Sequence, residues 1–349
     1  MAKKRVTLPK EFEDLLKKGN LQELKDVFTK CELDARGGYN KQTALAFDHC
    51  PHELAVWLVE QGADLTVTDT WGNTPLHRRS RSIFGNISSL LELGADVNMA
   101  TNYGGTPLHA AAEAHNPGNT ALLLAHGAKA DIVNTRGLTP LELALQTCSN
   151  IEIVKTLAIA KLYLDAGMPV TPRMKESVME VGKRFEFHRA NFNKDSVREV
   201  SNALEELYRL FGAEPVAKRL MHDGESPIVC KTTSWQDQHN ELWALLVPSS
   251  GPAATVQGEV IRISGKISRE LLGNGGINWD DDFKKMADAF FTFVQAGNAL
   301  LPAELEETAT IVKEVKRKAG DTDRMLELAV KWVVANPAPI KLSRVEYKR

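Results

Sequence analysis

The sequence has few cysteines and no long apolar run. Only four of its 349 residues are cysteines, they lie far apart, and no two form a Cys-x-x-Cys pair. We therefore expect neither a disulfide framework nor a cysteine-based zinc site. We expect a reducing, cytoplasmic location. No stretch approaches the roughly 18 apolar residues of a membrane span. The basic start of the chain is not followed by the apolar segment of a secretory signal.

An excess of charge of one sign is also missing. Lysine and arginine number 43, aspartate and glutamate 45, and the net charge is -2. Such a balance argues against a broad electrostatic hold on nucleic acid or on an acidic membrane. We therefore expect no nucleic-acid partner and no membrane association.

One short pattern recurs four times in the first half of the chain. Its copies are Thr43-Ala44-Leu45, Thr74-Pro75-Leu76-His77, Thr106-Pro107-Leu108-His109 and Thr139-Pro140-Leu141-Glu142. A second marker keeps the same spacing, at Gly62-Ala63-Asp64, Gly94-Ala95-Asp96 and Gly127-Ala128-Lys129. Two motifs that recur in register predict a stack of repeats, none of which can bury its apolar face alone.

The residues of each copy have structural reasons. Threonine caps the first helix, and proline follows at a position where a missing N–H costs nothing. The glycine of the second marker is typical of a helix end, where the chain needs a left-handed residue. Each repeat is thus predicted to hold an inner helix, an outer helix and a turn. Residues 10–33 are predicted to form two short capping helices, broken at Gly19-Asn20.

The period of about 33 residues, with T-P-L-H near the start of each repeat and G-A-D near its end, resembles the ankyrin repeat. The resemblance covers about residues 34–171, or 10–171 with the capping helices. It implies an α-helical solenoid that binds other proteins. It also implies that His77 and His109 bond to the backbone of an adjacent repeat.

A second resemblance concerns residues 185–280, which are similar to segments of uncharacterised bacterial proteins, some of them ankyrin-bearing. The segments that carry it are FEFHRANF (185–192), HDGESPI (222–228), ELWALLVPSSG (241–251), TVQGEVIR (255–262) and NGGINWD (274–280). This resemblance implies no activity.

The second half of the chain is helical and does not repeat. Apolar periodicity and turn residues predict helices at 173–187, 195–211, 236–247, 256–272, 280–296, 302–318 and 322–335. Only short stretches such as Ile228–Lys231 are compatible with a strand. The predicted fold class is therefore all-α, an ankyrin-repeat solenoid followed by a non-repetitive helical domain. The predicted division is 1–171, a helical bridge at 172–225, and a C-terminal helical domain at 226–349.

Three residues at one repeat position are the strongest candidates for binding a partner. Trp71, Tyr103 and Arg136 each precede the turn glycine of their repeat by one residue. In the ankyrin family this position is the exposed tip of the finger between repeats, and Trp, Tyr and Arg are the residue types most enriched at binding hot spots. The alternative is that the aromatic rings only pack on the neighbouring finger.

The segment Arg78-Arg79-Ser80-Arg81 departs from the repeat, which has alanines at the corresponding place in repeat three. Arg79 and Ser80 occupy positions where close packing favours alanine, so a buried arginine there must reach out or find a partner. Arg78 and Arg81 are expected to face the concave groove and to favour an acidic partner. The alternative is a local break in the repeat, with these arginines paired to acids inside the chain.

A catalytic site is the alternative to a binding site. His188, His222 and Asp223 are polar residues in apolar surroundings, and a histidine oriented by an aspartate can act as a general base. However, no nucleophile elbow of the G-x-S-x-G type is present, and Asp223-Gly224 is more typical of a turn. The pair His49 and His52 offers too few ligands for a metal.

The sequence therefore predicts a protein-interaction scaffold without metal or cofactor. By analogy, blocking a toxin or an effector in a bacterial cell is one use of such a protein. The competing hypothesis is an enzyme with a site near His188, His222 and Asp223, for which the ankyrin stack is a targeting arm.

Overall fold

The computed structural model describes residues 3–189, 192 and 194–349, so Ala190 and Asn191 of the segment 185–192 lie outside the described residues. Most of the described chain is helical. The helices are α1 (Phe12–Lys18), α2 (Leu21–Lys30), α3 (His52–Glu60), α4 (Pro75–Arg81), α5 (Ser88–Glu92), α6 (Pro107–Glu113), α7 (Pro117–Ala125), α8 (Pro140–Thr147), α9 (Ile153–Asp165), α10 (Pro172–His188), α11 (Lys194–Phe211), α12 (Trp235–Leu246), α13 (Val256–Ser268), α14 (Asp281–Val294), α15 (Pro302–Val315) and α16 (Thr322–Ala335).

The strands of the structure lie where the sequence did not predict them. Strands β1 (Arg5–Thr7), β2 (Cys31–Gly37) and β3 (Gln42–Thr43) form one small sheet, in which β2 pairs in parallel with β1 and in antiparallel with β3. No strand forms at Ile228–Lys231, where the sequence was compatible with one. The Ile228 N–H donates instead to the carbonyl oxygen of Pro337, at 2.8 Å, without forming a ladder.

Backbone contacts divide the chain into two compact units. The first holds residues 1–185 and 193–216, and the second holds 186–192 and 217–349. The predicted bridge at 172–225 is shared between them, since α11 and most of α10 belong to the first unit.

The helix caps of repeats two to four are as the sequence predicted. The hydroxyls of Thr74, Thr106 and Thr139 each accept the backbone N–H three residues later, and a proline follows each threonine. The inner helix predicted to follow Thr43 in the first repeat does not form. Thr43 makes no such cap, because it ends β3 and is followed by neither a proline nor a polar third residue. Only a 3-10 turn, Ala44–Ala46, forms there.

Buried imidazoles join neighbouring repeats, as the family resemblance implied. The Nε2 atom of His77 lies 3.0 Å from the carbonyl oxygen of Gly105, and that of His109 lies 3.0 Å from the carbonyl oxygen of Leu138. The Thr74 hydroxyl lies 2.8 Å from Nδ1 of His77 and donates to it in the neutral tautomer. Burial lowers the pKa of His77 to about 4.

We predict that the first unit loses stability in acid. Because the folded pKa of His77 lies below its unfolded value near 6.5, the unfolded state binds more protons, and stability is lost as the pH falls from about 6.5 to about 4. His77 contributes on the order of 3 kcal/mol to this loss. Urea titrations should show a shallower pH dependence for His77→Gln but not for His126→Gln, which alters an exposed histidine. An unchanged slope in His77→Gln would contradict the assignment.

The second unit is built around α13, which packs against α12, α14 and α16. The predicted helices of this unit are confirmed, and α13 continues as a π-helical turn, Arg269–Gly273. One face of α13 carries a fully buried ion pair, in which Arg262 Nη2 lies 2.6 Å from Glu259 Oε1. The Tyr347 hydroxyl donates to the same carboxylate at 2.7 Å.

We predict that removing one member of this pair is costly. Glu259→Ala leaves the Arg262 guanidinium buried without a counter-charge and should lower the free energy of unfolding by about 3–5 kcal/mol. Replacing both residues, as Glu259→Leu with Arg262→Met, should recover part of that loss, because the Tyr347 hydroxyl and the buried Ala253 N–H still lose their acceptor. Lys284→Ala, which breaks the exposed pair of Lys284 with Asp281, should cost less than about 1 kcal/mol. Chemical denaturation followed by circular dichroism provides the comparison.

Candidate functional site

The fingers between repeats are held in shape by one polar side chain at the base of each. The Asp69 carboxylate accepts the backbone N–H of Trp71 at 2.8 Å and that of Asn73 at 2.9 Å. Thr101 accepts from the N–H of Tyr103, and Asn134 from that of Arg136. Three different residue types thus make the same turn and present the residue two positions later at its tip.

The three tip residues are open to solvent. Trp71 is 57% exposed, Tyr103 is 65% exposed, and Arg136 is also exposed. Neighbouring fingers are tied through the backbone, since the N–H of Thr135 donates to the carbonyl oxygen of Tyr103 at 3.0 Å. Both aromatic residues leave more than half of their surface open to solvent.

All five residues predicted to bind a partner line one cavity of about 440 Å³, which we call the first cavity. Trp71, Tyr103 and Arg136 contribute from the fingers, and Arg78 and Arg81 from α4. The floor is formed by α6 and α8, whose Ala110 and Leu143 are small or apolar. The repeat spacing therefore brings residues from three repeats to one concave surface.

A second cavity of about 360 Å³ continues this surface toward the start of the chain. It shares Arg78 and Arg81 with the first cavity and is bordered by Tyr39, which is 96% exposed. Tyr39 was not predicted as a tip residue, because it lies four residues before Thr43, whereas Trp71 lies three residues before Thr74. We call the two cavities together the groove.

The sequence suggested that Arg78 and Arg81 either face the groove or pair with acids inside the chain, and both descriptions apply. Arg81 lines the groove, yet its Nη2 atom lies 2.6 Å from Glu113 Oε2, in an ion pair within the chain. Arg78 also lines the groove, and its Nε donates to Gln42 Oε1 at 3.2 Å and lies 3.7 Å from a carboxylate oxygen of Asp69. Arg81 is thus neutralised, whereas Arg78 is held mainly at one nitrogen.

Arg79 and Ser80 are buried, at the positions where alanine was expected. The Arg79 guanidinium donates to the carbonyl oxygens of Cys50 and Asn86 and to the Ser89 hydroxyl. Burial lowers the pKa of Arg79. Its partners are therefore uncharged acceptors of the first two repeats, and it does not reach the solvent.

The candidate catalytic residues lie in the second unit. His222 Nδ1 accepts the N–H of Gly224, and Asp223 accepts from the hydroxyl and N–H of Ser226, which lower the pKa of Asp223 to about 2. These bonds describe a polar turn. The ring of His188 packs edge-on against Phe187, and no hydrogen bond or ion pair among the described residues joins His188 to the other two. The catalytic role stays a prediction.

Neither a metal site nor a membrane span is found among the described residues. They contain no group of three or more His, Cys, Asp or Glu placed to hold a metal. His52 lies 3.8 Å from Glu92. Burial raises the pKa of the Cys50 thiol, which lies between His49 and His52 in the sequence, to about 11 and makes it a poor ligand. None of the helices in residues 3–189, 192 and 194–349 is long and apolar enough to span a bilayer.

Comparison with known families identifies the repeats. A family model described as ankyrin repeats (3 copies) matches residues 43–131 and 80–166. The N-terminal region therefore carries ankyrin repeats, within an all-α chain. No curated protein sequence matches the chain.

We predict that the base residue of a finger controls its order. Asp69→Ala removes the acceptor of the Trp71 and Asn73 N–H groups and should cost about 2 kcal/mol of local stability. Asp69→Asn should be tolerated, because Asn134 performs the same task in its own finger. Hydrogen exchange at the Trp71 and Asn73 amides should be much faster in the alanine variant alone. Equal exchange in both variants would contradict this role.

Proposed function

We propose that this chain binds a protein partner through the groove, with Trp71, Tyr103 and Arg136 as finger-tip contacts and Arg78 and Arg81 as contacts on the concave face. The observation that carries the proposal is that these five residues, drawn from three repeats, line a single cavity. Ankyrin repeats are protein-interaction modules, which supports a scaffold role for this region.

The groove is suited to binding without rearrangement. Its side chains stand on capped helices and on fingers fixed by polar base residues, so little conformational entropy is lost when a partner docks. Exposed aromatic rings add large contact areas at a low entropic cost. The mechanism is recognition by a rigid surface.

The partner that fits this surface carries an acidic patch. Three arginines line the first cavity against a single carboxylate, that of Glu113. Complementary charge favours the correct partner and speeds encounter, even where it adds little affinity. The proposal places this interaction in the cytoplasm, with no nucleic acid or membrane involved.

The biological use that we propose is the blocking of a toxin or an effector in a bacterial cell. This use is proposed by analogy alone, since the resemblance of residues 185–280 implies no activity. In this scheme the helical second unit extends the binding surface or delivers the output of binding.

We predict that the finger tips carry much of the binding energy. Trp71→Ala and Tyr103→Ala should each weaken the affinity for a recovered partner about 30-fold, as expected for aromatic hot spots. The matched control is Phe84→Ala, which removes an aromatic side chain that is more exposed than either tip and lines neither cavity. Partners recovered from native lysate are quantified by mass spectrometry, and their affinities are then measured by interferometry. Unchanged recovery and affinity in both tip variants would overturn the proposal.

A further inference from the structure

Charge is unevenly distributed along the groove. The first cavity is lined by Arg78, Arg81 and Arg136 against Glu113 alone. The second cavity sets the same Arg78 and Arg81 against Glu13 and Asp48. Among the described residues, Glu113 forms a close pair with Arg81, and Glu13 pairs with Lys17 at 3.0 Å. An anionic group is therefore favoured in the first cavity, beside Arg78 and Arg136, which have no short ion pair.

The arginines of the first cavity differ in how closely each one pairs with other groups of the chain. Arg81 forms a close ion pair with Glu113, at 2.6 Å. Among the described residues, the Arg136 guanidinium makes one long hydrogen bond, 3.4 Å to Gln146, which does not line the cavity. Arg78 and Arg81 line both cavities, and of these two Arg78 is the one without a short ion pair.

Arg78 is oriented but not saturated. Its Nε is fixed by Gln42, and the Asp69 carboxylate beside it is completely buried while it also holds the Trp71 finger. Among the described residues, neither Nη atom of Arg78 has a hydrogen-bond acceptor. A guanidinium held at Nε, with its terminal amines open on a groove, is preorganised for a carboxylate.

We propose that Arg78 forms a subsite for one aspartate or glutamate side chain of the partner, flanked by an apolar residue that packs on Trp71 or Tyr103. This inference rests on the proposed function and names the chemistry of its partner. Glu13 and Asp48 in the second cavity disfavour further acids, so an isolated carboxylate followed by an uncharged segment fits the groove. A nucleic-acid strand, with a charge on every phosphate, would meet Glu13 and Asp48 there.

The test begins with a library of random twelve-residue peptides, displayed on phage and selected on the immobilised full chain. Aspartate and glutamate should be enriched among peptides whose binding requires Trp71. One such peptide, synthesised with a fluorescent label, should bind Arg78→Gln at least about tenfold more weakly than the wild type. Arg78→Lys, which keeps the charge but lacks the planar fork, should fall between the two.

A double-mutant cycle separates a direct contact from a change in folding. Replacing the peptide's acid by its amide should weaken binding to the wild type and have little further effect on Arg78→Gln. The matched control is Arg198→Gln, at an exposed arginine of α11 in the same unit, and it should bind as the wild type does. These measurements remain decisive even where a variant is less stable, because the peptide change leaves the protein intact.

The outcomes distinguish the subsite from the groove itself. Peptides that require Trp71 but lack acidic residues, or that bind Arg78→Gln normally, would overturn the carboxylate subsite and leave the groove as a binding surface. Displacement of the peptide by a twelve-residue oligothymidylate, with dependence on Arg78, would replace the carboxylate by phosphate and overturn the proposal. A selection that yields no peptide dependent on Trp71 would count against both proposals.

Discussion

The imidazoles of His77 and His109 set the geometry on which the groove depends. Each ring is held by the threonine that caps its own helix and reaches the backbone at the base of the next finger, 3.0 Å away. Since a buried donor or acceptor without a partner is costly, each repeat is bound to one position relative to the next. The neighbour of His77 in sequence is Arg78, so the same bond that places the Tyr103 finger also places the arginine opposite it.

This arrangement explains why an arginine-rich helix is tolerated inside a closely packed stack. The roles of residues 78–81 follow from the side of α4 on which each residue lies. Arg78 and Arg81 lie one turn apart on the groove side, while Arg79 points into the stack and satisfies the carbonyl oxygens of Cys50 and Asn86. Burying a guanidinium against uncharged acceptors is costly, but its several donors join the first two repeats across a stretch where α5 is short.

The parts of the structure that follow from local residue chemistry were predictable from the sequence. Threonine caps, proline at the first helical position and glycine at helix ends act within a few residues, and they located the repeats and most helices. The small sheet was missed, because β1 and β2 depend on pairing between segments 24 residues or more apart. The first repeat lacks the proline of the other repeats, and its Thr43 is drawn into that sheet instead of capping a helix.

The groove is made by side chains of different repeats, and their contacts can be predicted from the sequence only in part. Arg81 and Glu113 follow their cap threonines, Thr74 and Thr106, by the same number of residues, so neighbouring inner helices bring them together. The repeat period therefore contained this ion pair, whereas the sequence-based alternative named acids inside the chain without identifying Glu113. Tyr39 was missed for a related reason, since its irregular repeat shifts it by one position from the tips.

The near-neutral charge of the chain acquires a different meaning from these contacts. A net charge of -2 suggests a surface without electrostatic preference, yet pairing inside the groove is incomplete and local. Glu113 cancels Arg81, Asp69 orients Arg78 from a buried position, and Arg136 stands without an ion pair among the described residues. Because salt screens interactions beyond about 10 Å, such a pattern acts only on groups that enter the groove. Selectivity is then set by the position of single charges beside the aromatic tips, and the overall charge of the protein contributes little to it.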